Sequence, residues 1–362
     1  MSAQPHRWGR ALVAAATVLV IAITGAACTQ DVPGIDTPLA PAGGEFPEVG
    51  LVRVADGVIL EYRDWGGDGP PIVLLTGLGN SAAVFDDLAP RLTAGHRVIG
   101  LTRRGYGAST ITEDGYDVAT RVADDLAALD ALGIDRALIV GHSIAGDEMT
   151  GIARTRPELP VGLVYLDAAF DRTDPSTAVF DECLPLAPTA DQVLEFGPDE
   201  VQMIDGQPEL VSMAAAARQQ EAVLGAPIPP SELRRQVVPT PNGSIQAVDR
   251  SVAEAGINEG TNAVGPDYTG IDVPVTALIG DDADPAAAFP LSALATPEVR
   301  ESLRDCAGRL AEVKQIAGAN PLRAAVPSAR IEIVPGGPHY FFLQQPELVT
   351  EEILATAARA GW

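Results

Sequence analysis

Six short runs of apolar residues, Ile72–Leu75, Val98–Leu101, Ala137–Val140, Leu163–Leu166, Pro274–Gly280 and Ile331–Val334, constrain this chain more than any other feature. They show no alternation of apolar and polar residues, which suits strands buried on both faces of a parallel sheet. Between them lie helical patterns, notably Tyr116–Leu132, where Val122, Leu126, Leu129 and Leu132 recur at helical spacing. Strand and helix in alternation predict an α/β fold with a mainly parallel, doubly wound sheet. Val52–Val54 and Val58–Tyr62 flank Asp56-Gly57, a hairpin signal that opens an antiparallel edge. With 362 residues there is chain for one large α/β domain carrying an insertion, or for two domains.

The run at 137–140 delivers Gly141-His142-Ser143-Ile144-Ala145-Gly146 directly before a helical segment reaching about Thr155. A Ser at a sharp strand-to-helix turn stands clear of the sheet, and small residues two positions either side let the backbones crowd together. Gly141 and Ala145 meet that need, and the helix that follows aims its positive end at any oxyanion formed beside Ser143. A nucleophilic Ser needs a base. Of the four His, His6 lies in the N-terminal segment, His96 precedes a strand and His142 sits inside the turn, which leaves His339. His339 follows the last apolar run in Pro335-Gly336-Gly337-Pro338-His339, and loops after parallel strands are where such sheets gather catalytic groups.

The acid that orients the imidazole has several candidates. Asp281-Asp282-Ala283-Asp284 follows the run at 274–280, and the chain order Ser, Asp, His favours Asp284, with Asp282 as alternate. Asp167, at the end of the run 163–166, is a further alternate. The backbone amides of Ile144 and of Leu78, in the Gly-rich turn Thr76-Gly77-Leu78-Gly79, are expected to form the oxyanion hole. No group of residues has ligand spacing for zinc or iron, so no metal or organic cofactor is expected.

These residues together resemble the α/β-hydrolase superfamily, in its bacterial branch of esterase-like and aminopeptidase-like serine hydrolases. Arg103-Arg104-Gly105-Tyr106-Gly107-Ala108-Ser109 is similar to its Arg-Gly-aromatic-Gly-x-Ser turn, and Val164–Ala169, Gly280–Asp284 and Gly337-Pro338-His339 complete the set. Two departures are visible: Thr76 stands where the family has His, and Asp284 lies four residues beyond Gly280 where the family has three. The resemblance implies a hydrolase core at 48–171 and 271–362, and at 172–270 a mostly helical cap that roofs the site and selects substrates. A second excursion, 286–328, carries a helix from Pro297 to about Ile316, with Leu303, Leu310 and Val313 on one face.

The activity implied is hydrolysis of a carboxylic ester through an acyl-enzyme. The runner-up is a proline-iminopeptidase type of aminopeptidase, in which a cap carboxylate among Glu195, Asp199, Glu200 and Asp205 would grip the ammonium of a short peptide. A reading of another class is a catalytically silent surface binding protein that keeps the fold for its pocket.

Residues 1–27 have a secretory signal pattern: His6, Arg7 and Arg10 precede an uncharged apolar run from Ala11 to Ala27. Thr24-Gly25-Ala26-Ala27-Cys28 resembles a bacterial lipobox, so Cys28 is expected to be lipidated; ordinary signal cleavage and secretion is the alternative. Residues 28–47, rich in Pro, Gly and Ala, read as a tether, giving an extracytoplasmic enzyme anchored to the bacterial cell membrane. The remaining cysteines, Cys183 and Cys306, form either a disulfide in that oxidising compartment or two buried thiols. A net charge of −25 is repelled by phosphate backbones, so nucleic acid is not an expected partner, whereas a small ester or short peptide is.

Overall fold

The structure is a computed structural model that describes residues 47–362. The signal segment, Cys28 with its expected lipid and all but the last residue of the tether lie outside the described residues. No helix among the described residues is long and apolar enough to cross a membrane.

Strands β1 (Glu48–Ala55) and β2 (Val58–Gly66) pair as the expected antiparallel hairpin around Asp56-Gly57, where Gly57 takes a φ of 72°. Four buried strands follow: β3 (Pro71–Leu75), β4 (Arg97–Thr102), β5 (Ala137–His142) and β6 (Pro160–Leu166). Helix α1 (Val118–Ala131) connects β4 to β5, capped by Asp117, whose carboxylate accepts from the amide of Thr120. Helix α2 (Ala145–Thr155) connects β5 to β6.

The insertion then brings α3 (Val179–Cys183), α4 (Ala190–Val193), β7 (Val201–Ile204), β8 (Gln207–Leu210), α5 (Met213–Leu224), α6 (Pro230–Gln236), β9 (Val237–Pro239), β10 (Ile245–Ala247) and α7 (Ser251–Asn262). Its helical character matches expectation, but two hairpins, β7–β8 and β9–β10, were not anticipated. Their turns hold Asp205-Gly206, both at positive φ, and Asn242-Gly243, with Gly243 at 91°. Asp205-Gly206 is a pair that a two-residue hairpin turn demands, and the longer β9–β10 turn closes on Gly243, the residue suited to its left-handed position, so the signal was present in the sequence.

The core resumes with β11 (Val275–Gly280), α8 (Pro285–Ala288), α9 (Pro297–Val313), α10 (Asn320–Ala325), β12 (Arg330–Val334), α11 (Phe341–Gln344) and α12 (Pro346–Arg359). The expected helix from Pro297 ends as α-helix at Val313 and widens into a π-helical turn, Lys314–Ala319.

Eight strands form one sheet in the order β1-β2-β4-β3-β5-β6-β11-β12, parallel from β4 to β12. Because side chains alternate across a strand, one face takes Val73, Leu75, Ile139, Leu163 and Tyr165 into a core with Val122, Leu129 and Ile152 of α1 and α2. The other takes Ile72, Leu74, Leu138, Val140 and Leu166 against Phe341, Val349 and Ile353. Each of these fully buried aliphatic side chains contributes about 1.5–3 kcal/mol. The chain reverses direction across the sheet between β3 and β5, the switch point where the carboxyl ends of parallel strands open a crevice. Leu78, Ser143, Ile144, Asp167, Asp282 and His339 all line the cavity on that edge.

Candidate active site

At the end of β5 the chain turns sharply, and Ser143 takes a φ of 57°, a left-handed conformation that costs a non-Gly residue about 1–3 kcal/mol. The crowding that demands small neighbours is measurable. A Cβ on Gly141 would lie 2.3 Å from Met149 Sδ, and one on Gly146 would lie 1.8 Å from the carbonyl oxygen of Ala168. The Ser143 amide donates to Leu166 O at 3.1 Å, tying the turn to the end of β6.

His339 is positioned by the loop after β12. Gly336 takes a φ of 63°, the Gly337 amide donates to Val334 O at 2.9 Å, and the Gly336 amide donates to Asp281 Oδ2 at 3.0 Å. His142 Nε2 lies 3.1 Å from His339 O, which can only accept, so the Nε2–H of His142 donates and holds the His339 backbone. Burial keeps His142 neutral by pushing its imidazole well below the ordinary range, and the nearby His339 ring adds to that. His339 Nε2 stands 3.0 Å from Ser143 Oγ.

The acid is the one correction to the expected site. His339 Nδ1 is 2.6 Å from Asp167 Oδ2, the alternate at the end of β6. Asp284 does not reach the imidazole: it is the N-cap of α8, its carboxylate accepting from the Ala286 amide at 2.9 Å. Its place four residues beyond Gly280 is the physical reason, since that register carries it past the strand end into the next helix. Asp282, the other alternate, points at Lys314 Nζ at 2.8 Å. Asp167 itself takes a φ of 48° and accepts from the Gly280 amide at 2.9 Å and from Lys314 Nζ at 3.0 and 2.7 Å. Burial would raise its carboxyl, but the Lys314 ammonium and then the His339 N–H outweigh burial and hold it far below the carboxylate range. A carboxylate on Nδ1 fixes the tautomer that leaves Nε2 free to accept the Ser143 proton.

The turn after β3 faces the same point. Leu78 and Ile144 both line the cavity over Ser143, and no hydrogen bond among the described residues takes the backbone amide of either. Buried Arg103 shapes this turn. It donates to Thr76 O and, at 2.7 Å, to Gly77 O, while pairing with Glu148 of α2 at 2.9 Å. The Gly77 position must be Gly, since a Cβ there would sit 2.5 Å from His142 Nδ1. From the insertion, buried Glu232 of α6 accepts from the Ser81 hydroxyl and amide and from Asn80 Nδ2, and Tyr340 donates to Asn80 Oδ1 at 3.0 Å. Arg103, Glu232, His142 and Lys314 therefore support the site without having been singled out for that role from sequence.

The cavity above Ser143 measures about 480 Å³. One wall is apolar, with Phe170, Phe180, Leu184 and Leu310. The other is the polar face of α7, with Glu254, Asn258 and Asn262. Cys183 of α3 and Cys306 of α9, expected either as a bridge or as two thiols, are joined as a disulfide with Cα atoms 5.6 Å apart. The carboxylates considered for gripping an ammonium, Glu195, Asp199, Glu200 and Asp205, do not line the cavity; Glu200 instead pairs with Arg218 at 2.6 Å. No cluster of His, Cys, Asp and Glu among the described residues is arranged to hold a metal ion.

Comparison with known proteins places this geometry in context. The chain is 38% identical over 112 residues to a non-heme chloroperoxidase of Streptomyces lividans, covering 30% of this chain and 41% of that protein. It is 38% identical over 124 residues to a bifunctional esterase/perhydrolase of Acinetobacter calcoaceticus, covering 33% and 45%. The match thus spans less than half the length of these curated relatives. Among solved structures, E-2-(acetamidomethylene)succinate hydrolase superposes with a TM-score of 0.62 at 20% identity, covering 86% of this chain and 99% of that one. The thioesterase domain from the curacin biosynthetic pathway gives 0.58 at 18%, covering 85% and 99%. These likenesses show the shared fold. The model of the alpha/beta hydrolase family matches residues 72–352, from β3 into α12, and the chain belongs to that family.

Proposed function

We propose that this protein is a serine hydrolase that cleaves carboxylic esters of small molecules through an acyl-enzyme on Ser143. The observation that carries the reading is the contiguous relay of Asp167 Oδ2, His339 and Ser143 Oγ, at 2.6 and 3.0 Å. His339 Nε2 takes the hydroxyl proton as Ser143 Oγ attacks the ester carbonyl, and the charge on Asp167 stabilises the imidazolium that forms. The amides of Leu78 and Ile144 face the developing oxyanion, each such donor being worth about 3–4 kcal/mol. The imidazolium then protonates the departing alkoxide, and a water activated by the same His releases the acid.

The apolar wall of the cavity supports an ester with a hydrocarbon portion, and the relative named an esterase/perhydrolase is compatible with acyl transfer. Aminopeptidase action is the second reading, favoured by one observation: Glu254 lines the cavity and, among the described residues, its side chain makes no hydrogen bond or close ion pair, Arg250 attracting its carboxylate only from beyond contact distance. The N-terminal segment supports a lipid anchor at Cys28 and an extracytoplasmic location.

The test is labelling with a fluorophosphonate probe beside Ser143→Ala. Labelling of the wild type alone, followed by turnover of simple esters but not of aminoacyl amides, is the expected outcome. Absence of labelling in both would remove the hydrolase reading and bring the silent binding protein forward.

A further inference from the structure

Lys314 is a buried cation beside the relay, supplied by an element distant from the catalytic strands in sequence. It opens the π-helical turn Lys314–Ala319, and single π turns inserted in helices concentrate at functional sites. That turn is fitted to the loop carrying Asp167. The Asp171 amide donates to Ala317 O at 2.7 Å, and a Cβ on Gly318 would lie 2.5 Å from Ala169 O. Lys314 Nζ bridges two carboxylates, Asp167 at 2.7 Å and Asp282 at 2.8 Å, all three side chains being nearly excluded from solvent.

Charge neutrality gives the bridge its meaning. Asp167 alone beside the imidazole is a net charge of −1. Adding the ammonium brings the group to zero, and adding Asp282 returns it to −1. We propose that Lys314 and Asp282 are a matched pair of positioning residues: Lys314 locks Asp167, rather than Asp282, onto His339 Nδ1, and Asp282 restores the negative charge that the ammonium removes. The proposal rests on the serine-hydrolase reading for its catalytic consequence, but its electrostatic content concerns His339 alone.

The other groups facing His339 are accounted for. His142, with ring centroids 4.6 Å away, is held neutral by burial, and Tyr340, at 5.3 Å, is held protonated by burial. Of the charged residues that line the cavity, Arg172 is paired with Asp147 at 3.3 Å, while Asp181 and Glu254 form no close ion pair among the described residues, Arg250 attracting Glu254 from farther off. Asp281 accepts from the Gly336 amide on the outer side of the same loop.

The experiment follows the His339 Cε1–H resonance by NMR across pH in four proteins: wild type, Asp282→Asn, Lys314→Met and the double variant, with His339→Gln to assign the signal. Removing the negative charge of Asp282 disfavours the imidazolium, so titration in Asp282→Asn moves to lower pH, by about one pH unit or more, the shift a single charge within about 12 Å gives in an effective dielectric near 20. Lys314→Met moves it upward, and the double variant returns to within about half a unit of wild type. The pH dependence of fluorophosphonate labelling reads the same shifts in its acid limb, and labelling of Lys314→Met falls at least tenfold, with partial recovery in the double variant. Titration unchanged in a folded Asp282→Asn protein overturns the proposal, as does a double variant shifted no less than Lys314→Met. Should Lys314→Met fail to fold, Asp282→Asn alone decides. Variants whose His339 titration shifts as described, beside a wild type that takes no label, sink the hydrolase reading and leave the charge pairing standing.

Discussion

Asp167 and Asp284 make opposite demands on mutation, and a pair of substitutions separates them. Asp167→Asn keeps the shape of the side chain but reverses what Nδ1 meets, so the imidazole is held in the wrong tautomer; acylation of Ser143 should fall by about 10³–10⁴-fold. Asp284→Ala should leave that rate within about twofold and cost only the helix cap, about 1 kcal/mol. Labelling kinetics and a thermal melt on the two proteins check both halves. Equal loss of rate would return the acid to the loop after β11. Ser143 and His339 were legible because each is announced locally: the former by small residues around a strand-to-helix turn, the latter by being the one His after a late strand. The acid was not, because three carboxylates stand within four residues after Gly280 and each has a job that sequence does not reveal. Asp281 braces the His loop, Asp282 meets Lys314 and Asp284 caps α8. The end of β6 offered one Asp with a left-handed φ of 48°, a conformation that no sequence pattern states.

At the level of elements, the insertion holds the site from two sides, and each attachment can be cut. Helix α6 reaches the turn after β3 through Glu232, which also accepts from Gln236 at 2.8 Å. Glu232→Gln replaces one acceptor oxygen by a donor facing donors, so buried Ser81 and Asn80 groups lose their partner. A loss of about 1–3 kcal/mol in stability, read by chemical denaturation, and a slower acylation are expected. On the opposite side, the disulfide ties α3 to α9, eight residues before Lys314. Replacing both Cys183 and Cys306 with Ser opens a loop of 123 residues and should cost about 2–4 kcal/mol, with a lower melting temperature under non-reducing conditions that matches that of the reduced wild type. The helices of this region were legible from periodicity and its cysteines from their count. The contact of α6 with the β3 turn spans 151 residues between Ser81 and Glu232 and has no local signature. Lys314 belongs to the same class of invisible residue: it stands in the expected helix, and only the π turn aims it at Asp167.

For the whole molecule, the distribution of buried acids sets how stability responds to pH. Asp147, buried on α2, is pushed up to about 6 because burial outweighs the attraction of Arg172. Asp125, Glu232 and Asp282 are raised as well, each chiefly by burial. A carboxyl whose folded value lies above its unfolded value binds its proton more tightly when folded. It therefore adds stability that is complete below about pH 4 and is lost as pH rises through the folded value. For Asp147 that loss falls between pH 4 and about 6 and amounts to about 3 kcal/mol at most. Self-repulsion from a net charge of −25 acts in the same direction. Asp167 opposes both, since its depressed carboxyl contributes stability only above about pH 4 and loses it in stronger acid. The melting temperature is therefore expected to rise by a few degrees from pH 7.5 to about 5 and to fall again below pH 4. Asp147→Asn, which carries the neutral form at every pH, should flatten the rising part of that profile and match the wild type most closely near pH 4. A variant whose profile still rises as steeply as that of the wild type between pH 7.5 and 5 would show that Asp147 is ionised in the folded protein throughout, with Arg172 rather than burial in control.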